Sequence, residues 1–309
     1  VKLGIGFTDF SWDIPVADLG PTITRLARQA DESGFDSLWV MDHFFQISIS
    51  GKPPESPMPE AYATLGVLAG QTSRIKLGTL VTSVAYRHPG VLLKTVTTLD
   101  VLSGGRMYFG VGAGAPFNWE PQGPGTTFET EGLGIPFPSL ADRFEMLEEL
   151  LKFARQMWDG DETPLYGKHY QFVRPLNSPN SVQRPRPPIL VAGGGENKTL
   201  RMVASYADAC HLLDMPGGPL GGDLSHKLNV LRGHCDRVGR DYATIEKTVN
   251  TRLDIEGGLD EFRARLDDLA RLGFDHVLIG SRGPWTERSL DVVAALLPEV
   301  HAMGVATAC

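Results

Sequence analysis

Short runs of apolar residues alternate along this chain with segments whose apolar residues recur every three or four positions. The runs read as buried strands and the periodic segments as amphipathic helices. The pattern predicts strands over residues 3–7, 37–41, 75–81, 107–111, 189–192, 209–213, 245–249 and 276–279. Helices are predicted between and after them, at 18–33, 59–72, 89–102, 140–158, 197–206, 224–238, 260–272 and 286–303. Gly34 closes the first helix. In the longest, Leu140, Phe144, Leu147, Leu151 and Ala154 stand three or four apart, on one face. Eight strand–helix units in 309 residues predict an α/β fold, a (β/α)8 barrel with loop insertions. A doubly wound open sheet would carry a glycine-rich turn after its first strand, where Thr8-Asp9-Phe10-Ser11 stands instead. Neither a linker nor a repeat period breaks the alternation, so residues 1–309 read as one domain.

Two connections are too long to be simple turns. Residues 113–139 follow the fourth strand and are rich in Gly and Pro, with Phe117, Trp119, Phe128 and Phe137 among them. They read either as an apolar lid or as a surface loop. Residues 163–188 contain a small hairpin at 165–172. Only the first leaves a strand's carboxyl end, the face on which barrels carry their chemistry.

Composition narrows the function classes. A net charge of −8 argues against nucleic acid, whose binders present a basic face. Cys210, Cys235 and Cys309 have neither paired nor metal-ligand spacing, which points to a reducing compartment. The start of the chain lacks a leader pattern and no apolar run is long enough for a membrane span, so a cytoplasmic setting is expected. The eight histidines are scattered and no His-Glu-x-x-His appears, so no metal is expected; a Gly-x-Ser-x-Gly elbow is also absent.

The chemistry concentrates at strand ends. Ala192-Gly193-Gly194-Gly195 carries the fifth strand towards a helix. Such a run is either a plain tight turn or an anion site, because glycine admits close approach and helix-start amides are free donors. Lys198 is a weaker candidate beside it. His43 follows the second strand, where an imidazole can exchange a proton near neutral pH or serve only the fold. Asp42 is its neighbour. Glu60 reads as a helix N-terminal charge, and His211 as a core or lining residue. Arg87 and His88 either contact an anionic ligand or hold their own loop.

Residues 76–114 carry a resemblance. Arg87-His88-Pro89, then Leu99-Asp100-Val101-Leu102-Ser103-Gly104-Gly105-Arg106, then Gly110-Val111-Gly112-Ala113-Gly114 resemble, in that order, the luciferase-like flavin and deazaflavin oxidoreductase family. The resemblance extends over nearly the whole chain and is weakest at 113–139. It implies an oxidoreductase whose cofactor ring lies beside Asp42 and His43, with Leu80–Val81 as a cis peptide behind it. It makes Gly112, Ala113 and Gly114 a wall of the ring pocket. Ala192, Gly193, Gly194 and Gly195 would hold the cofactor's phosphate.

The Asp42-His43 pair and the glycine run look most like the branch that uses F420; FMN with oxygen is the alternative cofactor, and a flavin-binding barrel without turnover the non-enzymatic one. Within the F420 branch, the sugar-phosphate and alcohol dehydrogenases have a tryptophan and a glutamate where this chain has Ile47 and Ala115. Trp119 and Glu120 lie near enough to substitute. The missing acid favours a reductase over a hydroxyl dehydrogenase, which needs a positioned base. His43 is then the expected catalytic residue, a small molecule the substrate, and a homodimer the assembly that the family implies.

Overall fold

Parallel strands joined by helices form a sheet whose two ends meet. The computed structural model describes residues 1–47, 52–114, 126–214, 222–253 and 259–304. In chain order these form β1 (Lys2–Phe7), α1 (Leu19–Ser33), β2 (Ser37–Val40), α2 (Ala61–Gln71), β3 (Lys76–Thr79), β4 (Thr82–Ser83), α3 (Pro89–Leu102) and β5 (Phe109–Gly112). There follow α4 (Thr126–Gly132), α5 (Leu140–Asp159), β6 (Leu165–Tyr166), β7 (Gln171–Phe172), β8 (Ile189–Ala192), α6 (Thr199–Tyr206) and β9 (Ala209–Leu213). The chain continues through α7 (Leu224–Val238), β10 (Glu246–Leu253), α8 (Leu259–Leu272), β11 (His276–Ser281), α9 (Glu287–Ala294) and α10 (Leu297–Ala302).

The main sheet runs β3-β2-β1-β11-β10-β9-β8-β5-β4, with every pairing parallel. β3 and β4 are two halves of one barrel strand, separated by Leu80 and Val81. The barrel closes where the Leu77 amide donates to the Arg106 carbonyl at 2.9 Å and the Tyr108 amide to the Leu77 carbonyl at 2.7 Å. Gly110 permits the closure, because a Cβ there would overlap the Thr79 carbonyl oxygen. The expected (β/α)8 barrel is therefore present, and β6 and β7 form the expected hairpin.

Alternation along the strands sorts the core into two layers. Leu38 and Val40 belong to the shell between sheet and helices, whereas Trp39 joins Tyr108, Leu190, Ala209 and Leu278 in a separate buried cluster that fills the barrel. On α5, Leu147, Leu151 and Ala154 are buried as their spacing required, and each large apolar group so buried is worth roughly 1.5–3 kcal/mol. Three expectations differ from the structure. The third strand breaks at Leu80 instead of running to Val81, and the last helix is two, α9 and α10, with Pro298 in the first turn of the second. The long connection after β5 carries a helix of its own, α4.

Candidate functional site

The filled half of the barrel leaves a cavity of about 830 Å3 at the carboxyl ends of the strands. Leu80 and Val81 form one wall, and the peptide bond between them is cis. Below that break, the buried Tyr62 hydroxyl lies 2.7 Å from the Thr82 hydroxyl; burial, and then the Asp42 charge, push its pKa up. Gly112, Ala113 and Gly114 form the adjoining wall, where Gly114, at φ +76°, adopts a conformation that a side chain would oppose.

Across the cavity, Ala192 leads into Gly193 and Gly195, both of which line it, as does Thr199 at the start of α6. Gly193 takes φ +123°, and its amide donates to the His211 carbonyl at 3.0 Å. α6 has no side-chain cap; of its first amides, that of Leu200 is taken by the Gly195 carbonyl at 3.0 Å, and a helix start of this kind favours an anion beside it. Gly194 is not among the lining residues; it stands beside Lys227, which pairs with Glu196 at 2.6 Å. Lys198 turns instead to the Phe144 ring, 5.0 Å from its centroid. Lys227 was invisible in the sequence because it lies on α7, about thirty residues away from the glycines it approaches.

Asp42 and His43 both line the cavity, and each has a second partner outside it. Asp42, 1% exposed, takes Arg87 in a two-pronged contact of 2.6 and 2.9 Å. Burial alone would make the guanidinium easier to deprotonate, but Asp42 and Glu60 outweigh it and hold the charge. Of the two readings of Arg87, the structure gives the one in which it holds the loop. His88 does the same as the N-cap of α3, accepting from the Gly90 amide at 3.2 Å. Glu60 caps α2 as expected, taking the Ala63 amide at 2.6 Å, and reaches Arg87 besides.

His43 is 13% exposed and turns Nδ1 to Glu129 Oε1 at 2.6 Å. Glu129 lies on α4, is 1% exposed, and also takes the Tyr86 hydroxyl and the Phe44 amide at 2.7 Å. Burial would raise its pKa, yet these donors outweigh burial and hold the carboxyl below its usual range. Sequence reasoning looked for an acid at Ala115 or Glu120, which lie outside the described residues together with Phe117 and Trp119, and passed over Glu129. The available signal was the short polar segment Thr126–Gly132, which forms α4.

The floor holds further groups that the sequence did not single out as ligand contacts. His211 is 3% exposed and its Nδ1 lies 2.8 Å from the Thr248 hydroxyl, which in turn donates to the Cys210 carbonyl at 2.9 Å. Nδ1 therefore bears the proton, and Nε2 has no hydrogen-bond partner among the described residues. Burial, then the nearby His276, press the pKa of His211 down to about 3. Asp9, after β1, also lines the cavity, and so does Ile47. Of the aromatic loop residues, Phe128 packs on Phe45 and Phe137 lies under Arg143; neither lines the cavity. Elsewhere Asp142, Glu145 and His169 meet on the surface, where the Lys168 ammonium approaches Glu145 at 2.6 Å.

Comparison with known proteins bears on the fold and the family. The chain is 30% identical over 239 residues to an F420-dependent glucose-6-phosphate dehydrogenase of Kineococcus radiotolerans, covering 76% of this chain and 64% of that relative. This chain thus spans somewhat under two thirds of the relative's length. Among solved structures, a monooxygenase from Streptomyces bottropensis superposes with a TM-score of 0.77 at 19% identity, covering 97% of this chain and 99% of that one. An F420-dependent secondary alcohol dehydrogenase in complex with an F420–acetone adduct gives the same TM-score of 0.77 at 18% identity, covering 97% and 99%. At such identities these two establish the fold. Residues 17–255 match the family described as luciferase-like monooxygenase, and the chain belongs to that family.

Proposed function

We propose that this protein is an F420-dependent oxidoreductase that moves a hydride between reduced deazaflavin and a small organic substrate, working as a reductase. One observation carries the reading. A single cavity brings together an apolar two-sided slot, a glycine loop at an uncapped helix start and two histidines, of which His43 has its Nδ1 held by a buried carboxylate. That combination fits a flat ring with an anionic tail. Leu80, Val81, Gly112, Ala113 and Gly114 are assigned to the ring, with Asp42 and His43 at its edge. Ala192, Gly193, Gly194 and Gly195 are assigned to the phosphate, the Gly193 amide itself being held by the His211 carbonyl, with Lys227 beside Gly194.

When bound, F420 supplies two-electron hydride chemistry. The chain's own contribution is orientation and one proton, which is what a reductase requires. His43 is the group that exchanges that proton. Arg87 holds Asp42 fixed at the rim through two contacts, so that the polar edge of the site does not shift. Relatives named for F420 support the choice of cofactor over FMN. Their sugar-phosphate substrate is not carried over, since this chain spans only part of their length.

Two buried free thiols, Cys210 and Cys235, fit the reducing cytoplasm we assign. We further read residues 1–309 as one barrel domain that pairs as a homodimer, which sedimentation velocity would test. The cofactor is tested by titrating oxidised F420 into the purified protein and following its fluorescence. Saturable binding at micromolar protein is expected. Preferential binding of reduced FMN with oxygen consumption would replace this reading with a monooxygenase. Binding of neither cofactor would remove both.

A further inference from the structure

A carboxylate as deeply buried as Glu129 requires a donor for each of its oxygens, and here every one is supplied. Oε1 takes His43 Nδ1 at 2.6 Å and the Tyr86 hydroxyl, while Oε2 takes the amides of Phe44 at 2.7 Å and Phe45 at 3.3 Å. Two of these donors are backbone amides, which can only donate. The donors hold Glu129 ionised despite its burial. An ionised carboxylate only accepts, so the proton between it and His43 resides on Nδ1. The other ring nitrogen, Nε2, is left for the cavity that His43 lines.

We infer that Glu129 is a positioning residue, which fixes the Nδ1–H tautomer of His43 and dedicates Nε2 to proton exchange with the substrate. Tyr86 locks the carboxylate: its hydroxyl proton goes to Oε1, and its ring lies edge-on to the imidazole at 6.2 Å between centroids. In reduction, reduced deazaflavin, when bound, would supply the hydride with its electron pair, and Nε2 of the doubly protonated His43 ring would supply the proton. The N–H bond at Nε2 breaks, its electron pair stays on nitrogen, and Nδ1 keeps its proton against Glu129 throughout. Because Glu129 rides on α4, the acid the sequence lacks after the β5 glycines reaches the site from further along the same connection. α4 itself is seated by Phe128 on Phe45, with ring centroids 6.0 Å apart.

The turnover part of the inference rests on the proposed hydride transfer; the tautomer does not, and is read on the ligand-free protein. Nitrogen-15 shifts of His43, identified by their loss in His43→Ala, report which ring nitrogen is protonated. In the native protein the neutral ring should be protonated at Nδ1. In Glu129→Gln the one amide oxygen must serve the Phe44 and Phe45 amides, so the NH2 faces His43 and the proton should move to Nε2. kcat should then fall about 100-fold or more, within the range for loss of general acid catalysis, with KM for the substrate changed less than about threefold. A native ring protonated at Nε2 would overturn the inference, and so would Glu129→Gln with native circular dichroism and an unmoved tautomer. If Glu129→Gln does not fold, the native measurement alone decides. Should the tautomer reverse while no F420 activity exists, only the cofactor reading fails.

Discussion

The Asp42 carboxylate and the Arg87 guanidinium meet through two contacts of 2.6 and 2.9 Å, with Asp42 side-chain exposure at 0% and Arg87 at 15%. Arg87 also lies over the Tyr62 ring, 4.7 Å from its centroid. Breaking such a pair from one side leaves a buried charge uncompensated, which typically costs about 3–5 kcal/mol. Arg87→Ala should therefore lower the urea-unfolding free energy by about that amount. Arg87→Lys keeps the charge but loses the planar two-pronged fit, and should fall between Ala and the native protein. A loss under about 1 kcal/mol for Arg87→Ala would mean that water reaches Asp42 and that the pair is not structural.

The alternation of apolar runs and periodic segments was sufficient for the barrel, since it follows from which faces must be buried. α3 and α7 fall at their expected residues because a Pro at the first helical position and a Gly at the C-cap punctuate them. The site was legible only where its residues sit at strand ends: His43 after β2, the glycines after β5 and β8. Glu129, Lys227 and Arg87's partner depend on which helices and loops the closed barrel brings together. No local pattern encodes a contact such as His43 with Glu129, 86 positions apart. The strand break between β3 and β4 was invisible in the hydrophobic pattern, which ran the strand on to Val81; only the resemblance marked the place, with its cis peptide at Leu80–Val81.

Two glycines of the same strand should respond differently to a methyl group. At Gly110 a Cβ would collide with the backbone of Thr79, which is held in the barrel seam and cannot move aside. Gly110→Ala is expected to cost more than about 4 kcal/mol, or to prevent folding, as overpacking against fixed backbone does. At Gly112 the nearest atom is the tip of Val81, Cγ2 at 3.3 Å. Gly112→Ala should stay folded, with a melting temperature within a few degrees of native, while narrowing the slot assigned to the ring. Equal melting behaviour of the two variants would contradict the difference between backbone and side-chain contact.

His211 gives the protein a sensitivity to mild acid. Its pKa is depressed to about 3 in the folded state, against 6.5 for an unperturbed histidine. The unfolded chain therefore binds the extra proton first as pH falls, and stability contributed by the neutral ring is lost from about pH 6.5 down towards 3. Near pH 5 the slope from this one group approaches about 1.4 kcal/mol per pH unit. His211→Asn should remove that slope: urea midpoints of native and variant should converge as pH drops from 7 to 5. Parallel curves would show that the folded protein accepts the proton at His211 without cost.

The glycine loop makes a prediction about which of its residues serves the phosphate. Gly193, at φ +123°, holds a backbone conformation that alanine resists, and its amide is tied to His211. Gly195 has Thr199 Oγ1 2.8 Å from where a Cβ would stand, at the start of α6. Gly194 has an ordinary φ, and its nearest neighbour is the flexible Lys227 at 3.6 Å. If the α6 amides receive the F420 phosphate, Gly193→Ala and Gly195→Ala should each weaken F420 binding by about tenfold or more, about 1.4 kcal/mol. Gly194→Ala should change it less than about threefold. Lys227→Ala should weaken it and flatten its dependence on salt, because the lost contact is ionic. Isothermal titration with F420 at two salt concentrations measures all four. The phosphate lies elsewhere if Gly194→Ala proves as damaging as Gly193→Ala, or if Lys227→Ala leaves the salt dependence intact.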